Sequence, residues 1–328
     1  MGLFVALGGP APAEMNAACP APSTHAAANP RGAFDLANAL AYRRWRNTKL
    51  QQQPRQLEDL LVDVADPCRL SPAERDAILR RCCDANMAVY RSPVTAADKN
   101  LPRLLGAQLG LLRLDGNWLA DEDGISQITV SPKAGENAGA AYIPYTNRAI
   151  KWHTDGYYHP QERRIQAMIL HCVSAAVEGG RNALMDHEMA YIALRDANPD
   201  WVRALMAADA MTIPARMGEA GVARAAQPGP VFCVDPGSGA LHMRYTARTR
   251  SVEWKDDTCT LEAATFLRDL LDSELPYRFD LRLQPGMGLV GHNMLHDRSA
   301  FVDDPAQPRL LYRARFLDRI RAPDGGLD

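Results

Sequence analysis

Residues 152–156 read Trp152-His153-Thr154-Asp155-Gly156. In an extended strand, side chains two apart point to the same face. His153 and Asp155 are therefore placed to bind one metal ion together. A single H-x-D arises easily by chance, so a third ligand is needed. The segment His292-Asn293-Met294-Leu295-His296-Asp297-Arg298 offers one. Two histidines and one carboxylate on one face of a metal form the facial triad of non-haem Fe(II) oxygenases, with open positions for co-substrate and O₂. His292 and His296 also stand four apart, as in helical zinc sites. The Glu that such a site places after its first histidine is missing, and the flanks read as turns. His296 alone is taken as the ligand. His159, His171, His187 and His242 have no motif support and read as structural.

The next signal outward is Arg309-Leu310-Leu311-Tyr312-Arg313-Ala314-Arg315-Phe316, starting 13 residues after His296. Alternation puts Arg309, Arg313 and Arg315 on one face of a strand, and Leu310, Tyr312 and Phe316 on the other. Three arginines on one face need anionic partners. A dicarboxylate co-substrate is one, because guanidinium grips carboxylate through two parallel hydrogen bonds. A solvated face paired with surface acids is the other reading.

Between and before these segments, periodicity sets the organisation. After residue 110, short runs rich in Val, Ile and Tyr alternate with Gly, Pro and Asn. Strands are predicted at Ile125–Ser131, Ala149–Asp155, Ile165–Val173, Val231–Val234, Leu241–Tyr245, Tyr277–Leu283, Met287–Val290 and Arg309–Leu317. Helices are predicted at His187–Ala197 and Cys259–Ser273. Many short strands with turn signals indicate a β-sandwich or barrel with helices packed outside. Upstream, Phe34–Leu50 reads as a surface helix and Leu60–Val64 as a strand. Ser71-Pro72-Ala73-Glu74 opens a capped helix that runs to about Asn86. Met87–Arg91 follows as a strand and Asp98–Leu109 as a helix. Residues 1–32, rich in Ala and Pro, read as a disordered tail.

Composition narrows the function classes. The chain has 328 residues, 47% hydrophobic and 23% charged, which suits a globular protein with a sizeable core. Its net charge of −2 argues against electrostatic binding to nucleic acid or membrane surfaces. No apolar run approaches the ~20 residues of a membrane span. The seven cysteines are scattered without a C-x-x-C pair, so reduced thiols in a cytoplasmic protein are expected. Gly286-Met287-Gly288-Leu289-Val290-Gly291 matches G-x-G-x-x-G, but only 37 residues remain after it, too few for a dinucleotide fold. A glycine-rich turn between antiparallel strands is the better reading.

Taken together, H-T-D, then Leu295-His296-Asp297-Arg298-Ser299-Ala300-Phe301, then Pro308-Arg309-Leu310-Leu311-Tyr312-Arg313-Ala314-Arg315 resemble the taurine dioxygenase and γ-butyrobetaine hydroxylase family (TauD/TfdA type). The stretch from Leu170-His171-Cys172 through Glu178-Gly179-Gly180 to Asp186 resembles that family's strand–EGG–strand hairpin. The likeness spans roughly residues 85–320. It implies an α+β, mainly β fold with a double-stranded β-helix (jelly-roll) core and flanking helices. One such domain would occupy residues 33–328, with a helical and strand extension at about 33–110. It implies Fe(II) held by His153, Asp155 and His296, and 2-oxoglutarate as co-substrate. Arg309 would grip its distal carboxylate, and Arg313 matches a second family arginine. Two positions depart from the pattern. Where the family has Thr or Ser after Gly-Gly to bind 2-oxoglutarate, this chain has Arg181 and Asn182, and Asn182 can still donate. Where the family has Asp-Asn before the distal histidine, this chain has Val290 and Gly291.

The implied activity is O₂-dependent hydroxylation of a small metabolite with release of succinate and CO₂. Desaturation or ring closure would use the same residues, and Asp155 argues against a halogenase. A metal-binding jelly roll without turnover is the alternative. For substrate, Tyr145 stands eight residues before His153, which in an unbroken strand is the same face. With Tyr142, Trp152, Tyr157 and Tyr158 it would form an aromatic cage for a quaternary amine, as in the γ-butyrobetaine branch. Arg248, Arg313 or Arg315 would hold an anionic end. Core filling is the plainer use of these aromatics. A homo-oligomer is left open.

Overall fold

The computed structural model describes residues 32–116, 123–130, 143–218, 221–249 and 252–321. The tail expected before residue 32 and the cage candidate Tyr142 lie outside them. Two sheets face each other. Their strands, in chain order, are β1 (Leu61–Asp63), β2 (Met87–Arg91), β3 (Ser126–Ile128), β4 (Ile150–His153), β5 (Ala167–Ser174), β6 (Asn182–Met185), β7 (Arg278–Leu281), β8 (Met287–Gly291), β9 (Leu295–Arg298) and β10 (Leu310–Phe316). The major sheet runs β1-β2-β8-β5-β10-β3 and the minor sheet β7-β6-β9-β4. All their pairings are antiparallel except β1 with β2. This is the jelly-roll architecture expected from the resemblance.

Strand alternation sorts the core into three layers. Between the sheets lie Val89, Met168, Leu170, Leu289 and Leu311 from the major sheet, against Leu184, Phe279 and Leu281 from the minor sheet. The outer face of the major sheet (Tyr90, Ile169, Val290, Tyr312, Phe316) is covered by Ile78 from α2 (Pro72–Ala85) and by Leu101 and Leu105 from α3 (Leu101–Ala107). The outer face of the minor sheet (Trp152, Ala183, Met185, Leu295) packs on helices α4 (His187–Ala197), α5 (Pro199–Leu205) and α6 (Thr258–Asp272). The Ser71–Glu74 capping box forms as the sequence indicates, and α2 ends at Asn86 in a left-handed conformation.

Several expectations need correction. The turn-like reading holds for His292 and Asn293, where Asn293 has φ +54°, but His296 itself sits in strand β9. The strand expected at Met287–Val290 forms as β8, so the turn read into the glycine run is confined to Gly286, where φ is +83°. Glycine is needed inside β8 because a Cβ on Gly288 would sit 2.2 Å from the Tyr90 ring. The strand carrying H-T-D starts only at Ile150, and Tyr145 closes a 3₁₀ turn at Ile143–Tyr145. The even spacing of Tyr145 from His153 therefore has no strand to act through. Helix α5 went unread, although Asn198 caps it and Pro199 opens it. Among the described residues, Cys68, Cys82, Cys172, Cys233 and Cys259 are free thiols. Among the described residues no helix is long and apolar enough to cross a membrane.

Candidate metal centre

The triad is built by strand pairing. β4 and β9 are neighbours in the minor sheet, and their register sets His296 directly opposite His153. The two imidazole centroids are 4.2 Å apart. Asp155 follows two residues beyond His153. One ligand atom from each of His153, Asp155 and His296 lies within 4.8 Å of the others, and all three residues are buried.

Each histidine is oriented by its own strand. His153 Nδ1 lies 2.9 Å from the Lys151 carbonyl, and His296 Nδ1 lies 3.0 Å from the Met294 carbonyl. A carbonyl can only accept, so both Nδ1 atoms carry the proton. Both Nε2 atoms are left as lone-pair donors, which is how outer partners fix a metal-binding tautomer. The Met294 carbonyl thus orients His296, a task that Val290 and Gly291 do not take up. Burial, with His296 adding to it, pushes the His153 imidazole down to about 3, so it stays neutral and free to ligate.

Asp155 is kept ionised and half-unsatisfied. Burial alone would raise its carboxyl, but the guanidiniums of Arg313 and Arg315 outweigh burial and hold it well below the usual carboxylate range. Asp155 Oδ1 accepts from Arg313 Nη1 at 3.2 Å, while Oδ2 is buried without a partner. A buried carboxylate oxygen with no donor is costly unless something positive completes it. With two imidazole lone pairs beside it, the donor set suits Fe(II) and leaves coordination positions open.

Asn293 anchors the backbone of Asp155, a role that its motif position did not reveal. Its Oδ1 accepts the Asp155 N–H at 2.7 Å, and its Nδ2 donates to the carbonyls of Asp155 (2.9 Å) and Ile165 (2.8 Å). Gly156 must be glycine: φ is +67°, and a Cβ would meet Ile165 Cγ1 at 2.5 Å.

Arg309 lies just before β10 and is buried. Its Nη1 has no partner, and its guanidinium stacks on the Phe301 ring at 5.0 Å. The Arg309 N–H donates to Asp303 Oδ1 at 2.6 Å. Gly180, at φ +67°, leaves room for Arg309 Nε, which a Cβ would approach to 3.4 Å. Asn182 is buried; its Nδ2 donates to the Asp297 carbonyl at 2.6 Å, and its Oδ1 is unpaired.

A family model described as the taurine catabolism dioxygenase TauD, TfdA family matches residues 61–315. The chain belongs to the TauD/TfdA family. A uridine-5'-phosphate dioxygenase from Amycolatopsis sp is 34% identical over 188 residues, which is 52% of this chain and 62% of that protein. One from Streptomyces sp is 30% identical over 213 residues, 62% of this chain and 73% of that protein. Among solved structures, the iron oxygenase OrfP with Fe and α-ketoglutaric acid superposes at TM-score 0.56 and 16% identity, over 76% of this chain and 81% of that one. Asparagine oxygenase with Fe(II), 3-hydroxyasparagine and succinate superposes at TM-score 0.51 and 17% identity, over 75% and 78%. These structures share the TauD/TfdA fold.

The remaining candidates separate within this TauD/TfdA chain. Arg313 joins the triad through Asp155. Arg315 is fully engaged elsewhere: Nη2 meets Asp115 Oδ2 at 2.6 Å and Nη1 meets the Tyr158 hydroxyl at 2.9 Å. Sequence reading missed Asp115, which also takes Arg163 at 2.7 Å. Tyr157 stands beside the centre, its ring 6.4 Å from that of His153. Trp152 points to the helix-covered face, and Tyr145 packs at the edge of the inter-sheet core. Arg248 is exposed. Of the described members of the proposed aromatic cage, Tyr157 is the one whose ring stands beside a triad histidine.

Proposed function

We propose that this TauD/TfdA chain is an Fe(II)- and 2-oxoglutarate-dependent oxygenase that hydroxylates a small metabolite. The carrying observation is the unpartnered Asp155 Oδ2 beside two histidines whose Nδ1 protons are already committed. His153 and His296 would hold Fe(II) through Nε2, and Asp155 through Oδ2. Arg309 would take the distal carboxylate of 2-oxoglutarate with its free Nη1, in a buried site where such a contact is strong. Phe301 and Gly180 keep that guanidinium in place. Asn182 would contribute at the same end. Arg313 positions Asp155 rather than substrate. With Fe(II) and 2-oxoglutarate bound, O₂ activation supplies hydrogen abstraction, with succinate and CO₂ as co-products. The protein supplies orientation and a water-poor cavity.

For the substrate, two relatives named uridine-5'-phosphate dioxygenases support an anionic nucleotide over a quaternary amine. The test is anaerobic loading with Fe(II) and 2-oxoglutarate, then O₂, with succinate measured against a substrate panel. Succinate that rises above the substrate-free rate with uridine 5'-phosphate is expected. No O₂-dependent succinate with any compound, in protein that binds Fe(II), would overturn the oxygenase reading.

A further inference from the structure

Two places among the described residues bring together arginines whose guanidiniums have no carboxylate hydrogen bond or ion pair. Arg298 and Arg309 share the Phe301 ring, and Arg224 and Arg244 donate to the carbonyls of the adjacent residues Tyr158 and Tyr157. The first is Arg298 with Arg309, which flank the Phe301 ring at 4.9 and 5.0 Å. That is the end assigned to the distal carboxylate of 2-oxoglutarate. The second lies beside Tyr157 and Tyr158, immediately after the metal motif. There Arg244 is buried and donates only to carbonyls: Nε to Tyr157 (2.7 Å), Nη1 to Met211 (3.1 Å) and Nη2 to Gln227 (2.6 Å). Arg224 ends the strand Gly221–Arg224, which pairs with Arg216–Gly218. It donates to the carbonyls of Pro214 (2.7 Å) and Tyr158 (3.3 Å), and its guanidinium lies 5.8 Å from the Tyr158 ring. Burial first, and then the charge of Arg224, pushes Arg244 down to about 10. Burial lowers Arg224 as well, against the opposing pull of Tyr157 and Tyr158.

Guanidinium carries five N–H donors. Arg224 spends two of them on carbonyls, so donors remain beside an uncompensated pair of charges. Elsewhere the fold compensates such groups: Arg313 has Asp155, and Arg315 has Asp115. We infer that Arg224, backed by Arg244, docks a dianionic group of the organic substrate, of the phosphate-monoester class. This rests on the oxygenase reading above and extends it to a named anchor. A dianion suits two adjoining guanidiniums better than a monocarboxylate, which neutralises only one charge, and phosphate accepts their forked donors well. The path to the chemistry is short. Arg244 holds the Tyr157 carbonyl, and the Tyr157 ring stands against His153.

The test starts with protein free of metal and 2-oxoglutarate, titrated calorimetrically with uridine 5'-phosphate, uridine and inorganic phosphate. The expected result is binding of uridine 5'-phosphate at least tenfold tighter than uridine, with inorganic phosphate competing against the nucleotide. Arg224→Gln should lose at least tenfold in affinity for uridine 5'-phosphate and leave that for uridine unchanged. In the loaded enzyme the same substitution should raise KM for the phosphorylated substrate and spare kcat. Equal affinity for nucleotide and nucleoside, or full nucleotide affinity in Arg224→Gln, would overturn the anchor. If Arg224→Gln fails to fold, phosphate competition in the unaltered protein decides. If uridine 5'-phosphate fails to bind while Fe(II) and 2-oxoglutarate still form their complex, the anchor falls and the oxygenase reading stands. If that complex fails while the nucleotide binds, the reverse holds.

Discussion

Two of the buried aspartates that lie beside a histidine, Asp186 and Asp155, are treated in opposite ways. Asp186 caps α4, and each of its oxygens has a partner, Oδ1 by hydrogen bonds and Oδ2 by an ion pair. Lys49 Nζ reaches it at 2.6 Å, Asn86 Nδ2 at 2.9 Å and the Glu188 N–H at 2.9 Å. Lys49 also meets Glu188 at 2.6 Å, so the cluster ties helix α1 (Ala39–Gln52) to the start of α4. Asp155 has a charged neighbour too, but one oxygen is left with nothing. The first carboxylate is finished by the chain; the second waits for a cation. Burial and charge are common to both sites, so neither alone marks function. The open valence does.

The largest expected effect breaks the open site. His153→Ala or His296→Ala should abolish tight Fe(II) binding and turnover, measured by anaerobic metal titration and succinate formation. Folding should survive, because each histidine leaves no buried charge behind. Full activity in either variant would remove the centre from the triad.

The partnered site should respond in stability instead. Lys49→Met leaves Asp186 and Glu188 close together without their cation, a loss on the order of 3–5 kcal/mol for a broken buried pair. Chemical denaturation should show it, while Fe(II) affinity in the folded fraction stays as in the parent. A metal defect in this variant would mean that the two aspartates are coupled, against the contrast drawn above.

Arg309→Ala comes next. Losing a charge-assisted, two-pronged contact costs about 2–4 kcal/mol, roughly a 30- to 1,000-fold weaker hold on 2-oxoglutarate. The charge-transfer absorbance of the Fe(II)–2-oxoglutarate complex would report it, with Fe(II) affinity retained. Should Arg313→Ala weaken 2-oxoglutarate while Arg309→Ala does not, the assignment along β10 is wrong.

The contrast also explains what the sequence could carry. H-x-D is legible because a spacing of two is local. Even so, β4 ends at His153 and Asp155 opens the turn after it, so the shared-face reading by alternation does not hold there. The arginine face of β10 is legible because alternation along one strand does hold. His296 was found as a residue, yet its strand was misread. β9 is only four residues long, and its partners β4 and β6 lie more than a hundred residues upstream. The Lys49–Asp186 pair and the Asn293 clamp each join segments about 137 and 138 residues apart, and no periodicity encodes such contacts. Tyr145 failed through the opposite error. Strand parity was extended across a 3₁₀ turn, where it has no meaning.

Asn293 offers the smallest and most discriminating test. It makes three hydrogen bonds around Asp155 and Ile165 and holds φ at +54°, in the left-handed region. Asn293→Ala should weaken Fe(II) binding about 10- to 100-fold, the usual effect of losing a group that orients a ligand. Part of that loss could come from the backbone, since alanine in this conformation costs roughly 1–2 kcal/mol. Asn293→Gly separates the causes, because glycine adopts this φ freely but makes none of the side-chain bonds. If hydrogen bonds to Asp155 set the metal affinity, the glycine variant should regain stability relative to alanine and remain just as poor in Fe(II) binding. If glycine restores Fe(II) affinity, the turn conformation positions Asp155 and the amide does not. Anaerobic titration beside thermal unfolding of the metal-free protein reads both quantities on the same samples.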